Sequence, residues 1–334
     1  MFNRNFYLLY ILFALPLSIR AQMQNPQKNR LITTKEKRTV IDSIIHALKD
    51  EYVFPEIAQQ IATKLNKRFL NDVYNSIDSA RAFADTLSVQ LMQISDDNHL
   101  RVAFSYDTVA DPSKEPPMPD FIRDFALKNN YGFNKVEVLD GNIGYINILG
   151  FFPMEEATNN AIKSMEQVAN TRALIIDLRE NSGGLGALCN FLLSYFFSST
   201  PVHMLDMNFA KDHRIEQSWS AFYVPGKRYI NKPVYVLTAA STFSAGEAFA
   251  YILQSQKRAV IVGDVTGGGA NIGKLVKLSP HFVMQLSNGI PVSPVTHKSW
   301  GKVGVQPDVK VNANEALKVA HERALSDLEH LQNK

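Results

Sequence analysis

Ser244 stands in the run Thr242-Phe243-Ser244-Ala245-Gly246-Glu247, after an apolar stretch and at the opening of an apolar-periodic segment. A hydroxyl at such a strand-to-helix turn is helped twice. The positive end of the helix favours negative charge on the oxygen, and end-of-helix N–H groups can hold an oxyanion. A serine in that setting becomes a nucleophile once a base takes its proton. The same four residues, Ser244-Ala245-Gly246-Glu247, also spell Ser-x-x-Glu, the capping box, in which serine and glutamate satisfy each other's end-of-helix N–H groups. Gly246 is a poor first-turn helix former, which points to a need for close approach.

A second turn of interest is Asp177-Leu178-Arg179-Glu180-Asn181-Ser182-Gly183-Gly184, where an apolar run ends in paired glycines. Such a turn can aim N–H groups at an anion, or can simply be a tight strand-to-helix connection. Eight histidines offer bases. His46, His321 and His330 fall on helical stretches and read as surface residues. His99 follows Asp96-Asp97-Asn98 at the end of a helical region, and His297 closes Pro294-Val295-Thr296-His297. A loop histidine at a domain junction can meet a nucleophile from the other side. No H-E-x-x-H or comparable spacing appears, so no metal is expected. Gly268 to Lys274 has the spacing of a phosphate-binding loop, but Leu275 stands where that loop needs Ser or Thr, and no helical pattern follows. A nucleotide is therefore not expected, and no cofactor is implied.

The elements that must position these residues change character along the chain. From about Thr34 to Ser95, Val40, Ile44, Ile45 and Leu48, then Ile57, Ile61 and Leu65, then Phe83, Leu87 and Leu91 recur at helical spacing, predicting three helices. Pro55 suits the first turn of the second. Residues 107 to 120 read as a linker or surface loop. Asp140-Gly141 between Lys135–Leu139 and Asn142–Ile148 predicts a hairpin. Ala173–Leu178, Val234–Leu237 and Ala259–Gly263 read as buried strands. Helices through Phe197 and from Ser244 to about Gln256 follow the first two, so the fold class is α/β with crossover connections.

The 334 residues are 46% hydrophobic and 20% charged, which is ordinary globular composition, and a net charge of +3 gives no reason to expect nucleic acid. The lone Cys189 excludes an intrachain disulfide and reads as a buried thiol. Arg4, the apolar Phe6 to Ile19 and Arg20-Ala21-Gln22 read as a signal peptide over residues 1–22, too short to span a membrane comfortably at about 20 residues. The expected location is extracytoplasmic, periplasmic or secreted, with membrane contact only through an uncleaved leader. Residues 23–105 then form a helical domain and 106–334 the α/β core.

In order along the chain, Asn129-Asn130-Tyr131-Gly132-Phe133, Gly141-Asn142-Ile143-Gly144-Tyr145, Asp177 to Gly184, Thr242 to Glu247, Gly263 to Ala270 and Gly304-Val305-Gln306-Pro307-Asp308 resemble the tail-specific, or C-terminal processing, serine peptidases. The branch of the tricorn core and the interphotoreceptor retinoid-binding protein repeats is the most similar, over roughly residues 35 to 325. The resemblance implies a helical N-terminal domain before a crotonase-like core and a peptide or protein substrate, while the interval from His99 to Asn142 is too short for the PDZ module that many members insert. It implies Ser244 as nucleophile, with oxyanion N–H groups from Ala245 and from Gly183 or Gly184. In the Ser-Lys branch a lysine lies 25 residues after the nucleophile; here that residue is Gly269, and Lys274 is the nearest lysine. The histidine-using branch instead implies His99 as base. The glutamate and serine that support the base there match Gly301 and Asn98. The orienting part of the relay is therefore missing or rebuilt, with Asp96, Asp97, Asn98, Glu247 and His297 as candidates for support. A His99 ring within about 4 Å of the Ser244 hydroxyl supports the pair. The competing function is a weak or inactive relative that binds a hydrophobic ligand or a peptide.

Overall fold

The computed structural model describes residues 30–109 and 120–332. The expected leader at 1–22 and most of the 107–120 loop lie outside the described residues. Among the described residues three helices come first: α1 (Thr34–Glu51), α2 (Pro55–Leu70) and α3 (Ala80–Ser95). Their starts follow local chemistry. Thr33 and Ser79, both in extended backbone, accept the N–H of Glu36 and Ala82, and Pro55 opens α2 where its missing N–H costs nothing. The apolar stripes of Val40, Ile44 and Leu48, of Ile61 and Leu65, and of Phe83, Leu87 and Leu91 meet in one core.

That core is not closed by helices alone. Leu278, Phe282, Met284 and Leu286 belong to it. They come from β9 (Ile272–Ser279) and β10 (Phe282–Val292), and β1 (Arg101–Phe104) pairs antiparallel with β10 in the register Arg101↔Gln285. Beyond it come α4 (Asp120–Lys128), β2 (Phe133–Leu139), β3 (Ile143–Ile148), α5 (Met154–Val168), β4 (Ala173–Asp177) and α6 (Gly186–Leu193). β5 (His203–Phe209) and β6 (Ile215–Trp219) extend the first sheet in the order β1-β10-β5-β6, with β9 on the other side of β10.

The second sheet runs β11-β8-β7-β4-β3-β2, with β7 (Val234–Thr238), β8 (Val260–Gly263) and β11 (Val309–Lys310). β2 and β3 are the expected antiparallel hairpin, and β3, β4, β7, β8 and β11 are parallel. The strands read as unbroken apolar runs because both faces are covered. Leu174, Ile176 and Val236 face a core with α5, α6 and α7 (Ala245–Ser255). Ile175, Tyr235 and Leu237 face the stripe Ala316, Ala320, Ala324 and Leu328 of α8 (Ala316–Gln332). β4–α6 and β7–α7 are strand-turn-helix units side by side, so the turns after β4 and β7 emerge at the same sheet edge.

Candidate active site

The turn after β7 is pinned before it reaches Ser244. The Thr242 hydroxyl accepts the Ala239 N–H and donates to the Leu178 carbonyl at 2.8 Å. Ser241 Oγ donates to the Arg179 carbonyl at 2.5 Å, and the Phe243 N–H donates to the Asn181 carbonyl at 2.9 Å. Three successive residues thus stitch this turn to the one after β4. Asn181 is fully buried and returns the support: its Oδ1 accepts the Gly183 N–H at 2.8 Å and its Nδ2 donates to the Ile148 carbonyl at 3.0 Å.

Ser244 opens α7 with φ 54° and ψ −118°. Thr33 and Ser79 in this same chain cap their helices from extended backbone, as cap residues ordinarily do. Ser244 departs from that conformation, and strain of this kind costs roughly 1–3 kcal/mol and is held only where the surroundings over-determine it. Its hydroxyl lies 3.3 Å from His99 Nε2. The Glu247 half of the capping box is present, since its carboxylate accepts the Ser244 N–H at 2.9 Å.

Glu247 does more than cap. It is completely buried and also accepts Thr266 Oγ1 at 2.5 Å and the N–H groups of Gly268 and Gly269 at 2.7 Å each. Burial pushes its carboxyl above the usual carboxylate range, against the four hydrogen bonds that pull it down. Thr266 Oγ1 in turn accepts the Val305 N–H at 2.7 Å. The glutamate therefore ties the backbone of Ser244 to the loop after β8.

That loop explains why Gly269 carries no side chain. A Cβ there would fall 2.1 Å from the Phe243 ring. Phe243 occupies the space, and its ring stacks on the His99 imidazole at 4.9 Å and 28°. Lys274 lies on β9 and is ion-paired with Glu51. The phosphate-loop spacing leads into that strand and not into a helix.

His99 sits between two fixed points. Asp96 ends α3 in left-handed backbone, φ 54°, and β1 begins two residues beyond the histidine. Asp97 is buried: its Oδ1 accepts the His99 backbone N–H at 3.0 Å and lies 3.9 Å from His99 Nδ1. Asn98 is exposed, with its carbonyl accepting Arg101 Nε. Asp96 is exposed and within 3.5 Å of Lys302. His297 lies on an exposed turn, φ 55°, hydrogen-bonded to Ser293. Of the residues considered for support, the structure brings Asp97 and Glu247 to the pair.

The glycine turn lies directly against the nucleophile candidate. A Cβ on Gly183, φ 107°, would fall 2.7 Å from Ser244 Cβ. Gly184 forms a parallel bridge with Phe151 through the Gly183 carbonyl and the Leu185 N–H. In a parallel bridge of that pattern the central residue's own N–H points away from the partner strand. The Gly183 N–H is engaged by Asn181, whereas the Gly184 N–H is turned out of the bridge. Cys189 is buried below α7, its thiol donating to the Ala245 carbonyl at 3.5 Å, and burial pushes the thiol well above its usual range.

Sequence reasoning passed over Asn181 and Thr266, and gave Phe243 no role of its own. Asn181 lay inside a turn already singled out. Thr266 carries no signal, because its partner is chosen by the crossing of two loops.

Peptidase family S41 matches residues 142–311, and the N-terminal domain of peptidase S41 in eukaryotic IRBP matches residues 28–131. A carboxyl-terminal-processing protease of Picosynechococcus sp. is 29% identical over 202 residues, covering 59% of this chain and 46% of that protein. The chloroplastic carboxyl-terminal-processing peptidase 2 of Arabidopsis thaliana is 28% identical over 168 residues, covering 50% and 31%. The chain thus spans less than half the length of these curated relatives. Among solved structures, a lipoprotein from Streptococcus agalactiae superposes with a TM-score of 0.60 at 14% identity, over 87% of this chain and 96% of that one. The photosystem II D1 C-terminal processing protease does so at 0.50 and 17% identity, over 84% and 94%. With the first match spanning 170 residues of 334, the chain belongs to peptidase family S41.

Proposed function

We propose that the protein is a serine peptidase that hydrolyses peptide bonds in peptides or unstructured protein tails, with Ser244 as nucleophile and His99 as base. The observation that carries this is the 3.3 Å approach of His99 Nε2 to the hydroxyl of a serine held at φ 54°. His99 takes the Oγ proton as Oγ attacks the scissile carbonyl. The negative oxygen of the tetrahedral intermediate is met by the N–H groups of Ala245, at the start of α7, and Gly184. The imidazolium then gives its proton to the leaving amine, and a water deprotonated by His99 hydrolyses the acyl-enzyme. The proposed arrangement is a leader at 1–22, a helical part at 23–105 and a core at 106–334, with the mature chain acting outside the cytoplasm.

The test is cleavage of peptides with free, unstructured C-termini. The wild-type protein is expected to cut them, and Ser244→Ala to leave at most a thousandth of that rate. A variant as active as the parent sinks the assignment. Under the competing binding-module reading, the wild type is inactive and purifies with a hydrophobic ligand visible by mass spectrometry.

A further inference from the structure

Tyr52 caps the C-terminus of α1, and its phenol reaches the loop that carries His99. Its Oη donates to Asp97 Oδ2 at 3.1 Å. The other carboxylate oxygen, Oδ1, accepts the His99 backbone N–H at 3.0 Å and faces His99 Nδ1 at 3.9 Å. The three residues are buried together, at 2%, 4% and 5% exposure for Tyr52, Asp97 and His99. The far side of the same imidazole faces Ser244.

We propose that Tyr52 and Asp97 are a positioning pair for His99, the phenol holding the carboxylate where its charge stabilises the imidazolium. This rests on the peptidase reading for its effect on rate, but not for its effect on the histidine itself. At 3.9 Å the carboxylate shares no proton with the ring, since hydrogen bonds to nitrogen end near 3.2 Å. Its contribution is that of a buried opposite charge, screened less than one in water. Burial, and then the Asp97 charge, keep the Tyr52 phenol protonated far above its usual range, so it remains a donor. The Asp97 backbone N–H donates to Ser95 Oγ at 3.1 Å, which fixes the loop from the helix side. Other charged groups nearby include Asp50 and Glu51 just before Tyr52, ion-paired with Lys211 and Lys274, Asp96 with Lys302 at the exposed edge, Arg101 at the start of β1, and Glu247 behind Ser244.

An NMR titration of the His99 ring in the full chain, compared between wild type, Asp97→Asn and Tyr52→Phe, tests this without needing turnover. Asp97→Asn is expected to lower the His99 pKa by about one unit or more, as loss of an opposite charge at this range does. It is also expected to lower kcat about tenfold or more at unchanged KM. Tyr52→Phe is expected to lower kcat less, and the double variant to be no slower than Asp97→Asn alone. Thermal melts confirm that each variant is folded. An unchanged His99 pKa in folded Asp97→Asn, or fully additive losses in the double variant, overturns the pair. A wild type without peptidase activity removes the peptidase reading, while the pKa shift still decides this one.

Discussion

His99→Ala is expected to lower kcat on a peptide substrate by roughly three to four orders of magnitude, with KM little changed and the protein folded. Without the imidazole the Ser244 hydroxyl loses the base that lies 3.3 Å from it, whereas the backbone N–H groups proposed to hold the oxyanion stay in place. The fold survives because the loop is secured by its backbone: the Asp97 carboxylate accepts the main-chain N–H of residue 99, and β1 remains paired with β10. Removing the ring gives up its stack on Phe243, a contact of roughly 0.5–1.5 kcal/mol, together with its approaches to Ser244 Oγ and Asp97. His297→Ala, on its exposed turn, is expected to match the wild type. Steady-state kinetics and a thermal melt on both variants check this. A His99→Ala protein with near-normal kcat would show that another group takes the proton.

The second large effect is expected at Gly184. Its φ is 125°, and a Cβ there would lie 2.2 Å from the Phe151 carbonyl oxygen and 2.8 Å from the Phe151 nitrogen. Both are backbone atoms, so no side-chain rotation relieves the clash. Gly184→Ala must lift the turn off Phe151 and break the Phe151–Gly183 and Leu185–Phe151 hydrogen bonds, each 2.8 Å long. Two such bonds at about 1 kcal/mol each, with backbone strain of about 1–3 kcal/mol, give a loss of roughly 3–5 kcal/mol. The turn also carries a proposed oxyanion donor, so the folded fraction is expected to lose about a hundredfold or more in kcat. Gly186→Ala is the control two residues on, with nothing within 4 Å of the added carbon and a place at the start of α6. It is expected to fold and turn over like the parent. Denaturant melts with activity per folded molecule separate the two effects. A Gly184→Ala protein of parental stability and rate would contradict the geometry.

Much of this architecture is legible in the residues. β4 and β7 announce themselves because both faces of the parallel sheet are covered, so Leu174-Ile175-Ile176 has no polar alternation to disguise it. The three N-terminal helices show because each buries one stripe. The first sheet is far less visible. β10 contains Asn288, Gly289 and Pro291, and its inward residues complete a core begun more than 170 positions earlier, so no local window reveals its role. The same holds at the site. Ser244 and the glycine turn are marked by local sequence, but alone that sequence also fits a helix cap and a tight turn. The pairing of His99 with a serine 145 residues away was implied by family resemblance, not by spacing. Tyr52 had no signal at all, because its partner Asp97 lies 45 residues further along the chain, beyond the end of α3.

The central claim is that Ser244 is an activated nucleophile, and the most direct test is where a fluorophosphonate becomes attached. Phosphonylation replaces the probe's fluoride with the attacking oxygen, so intact mass reports the number of adducts and peptide mapping reports their position. The account predicts one adduct, on Ser244, that is lost in Ser244→Ala and strongly slowed in His99→Ala. An adduct on a different residue, labelling that persists in Ser244→Ala, or a folded wild type that takes no label contradicts it.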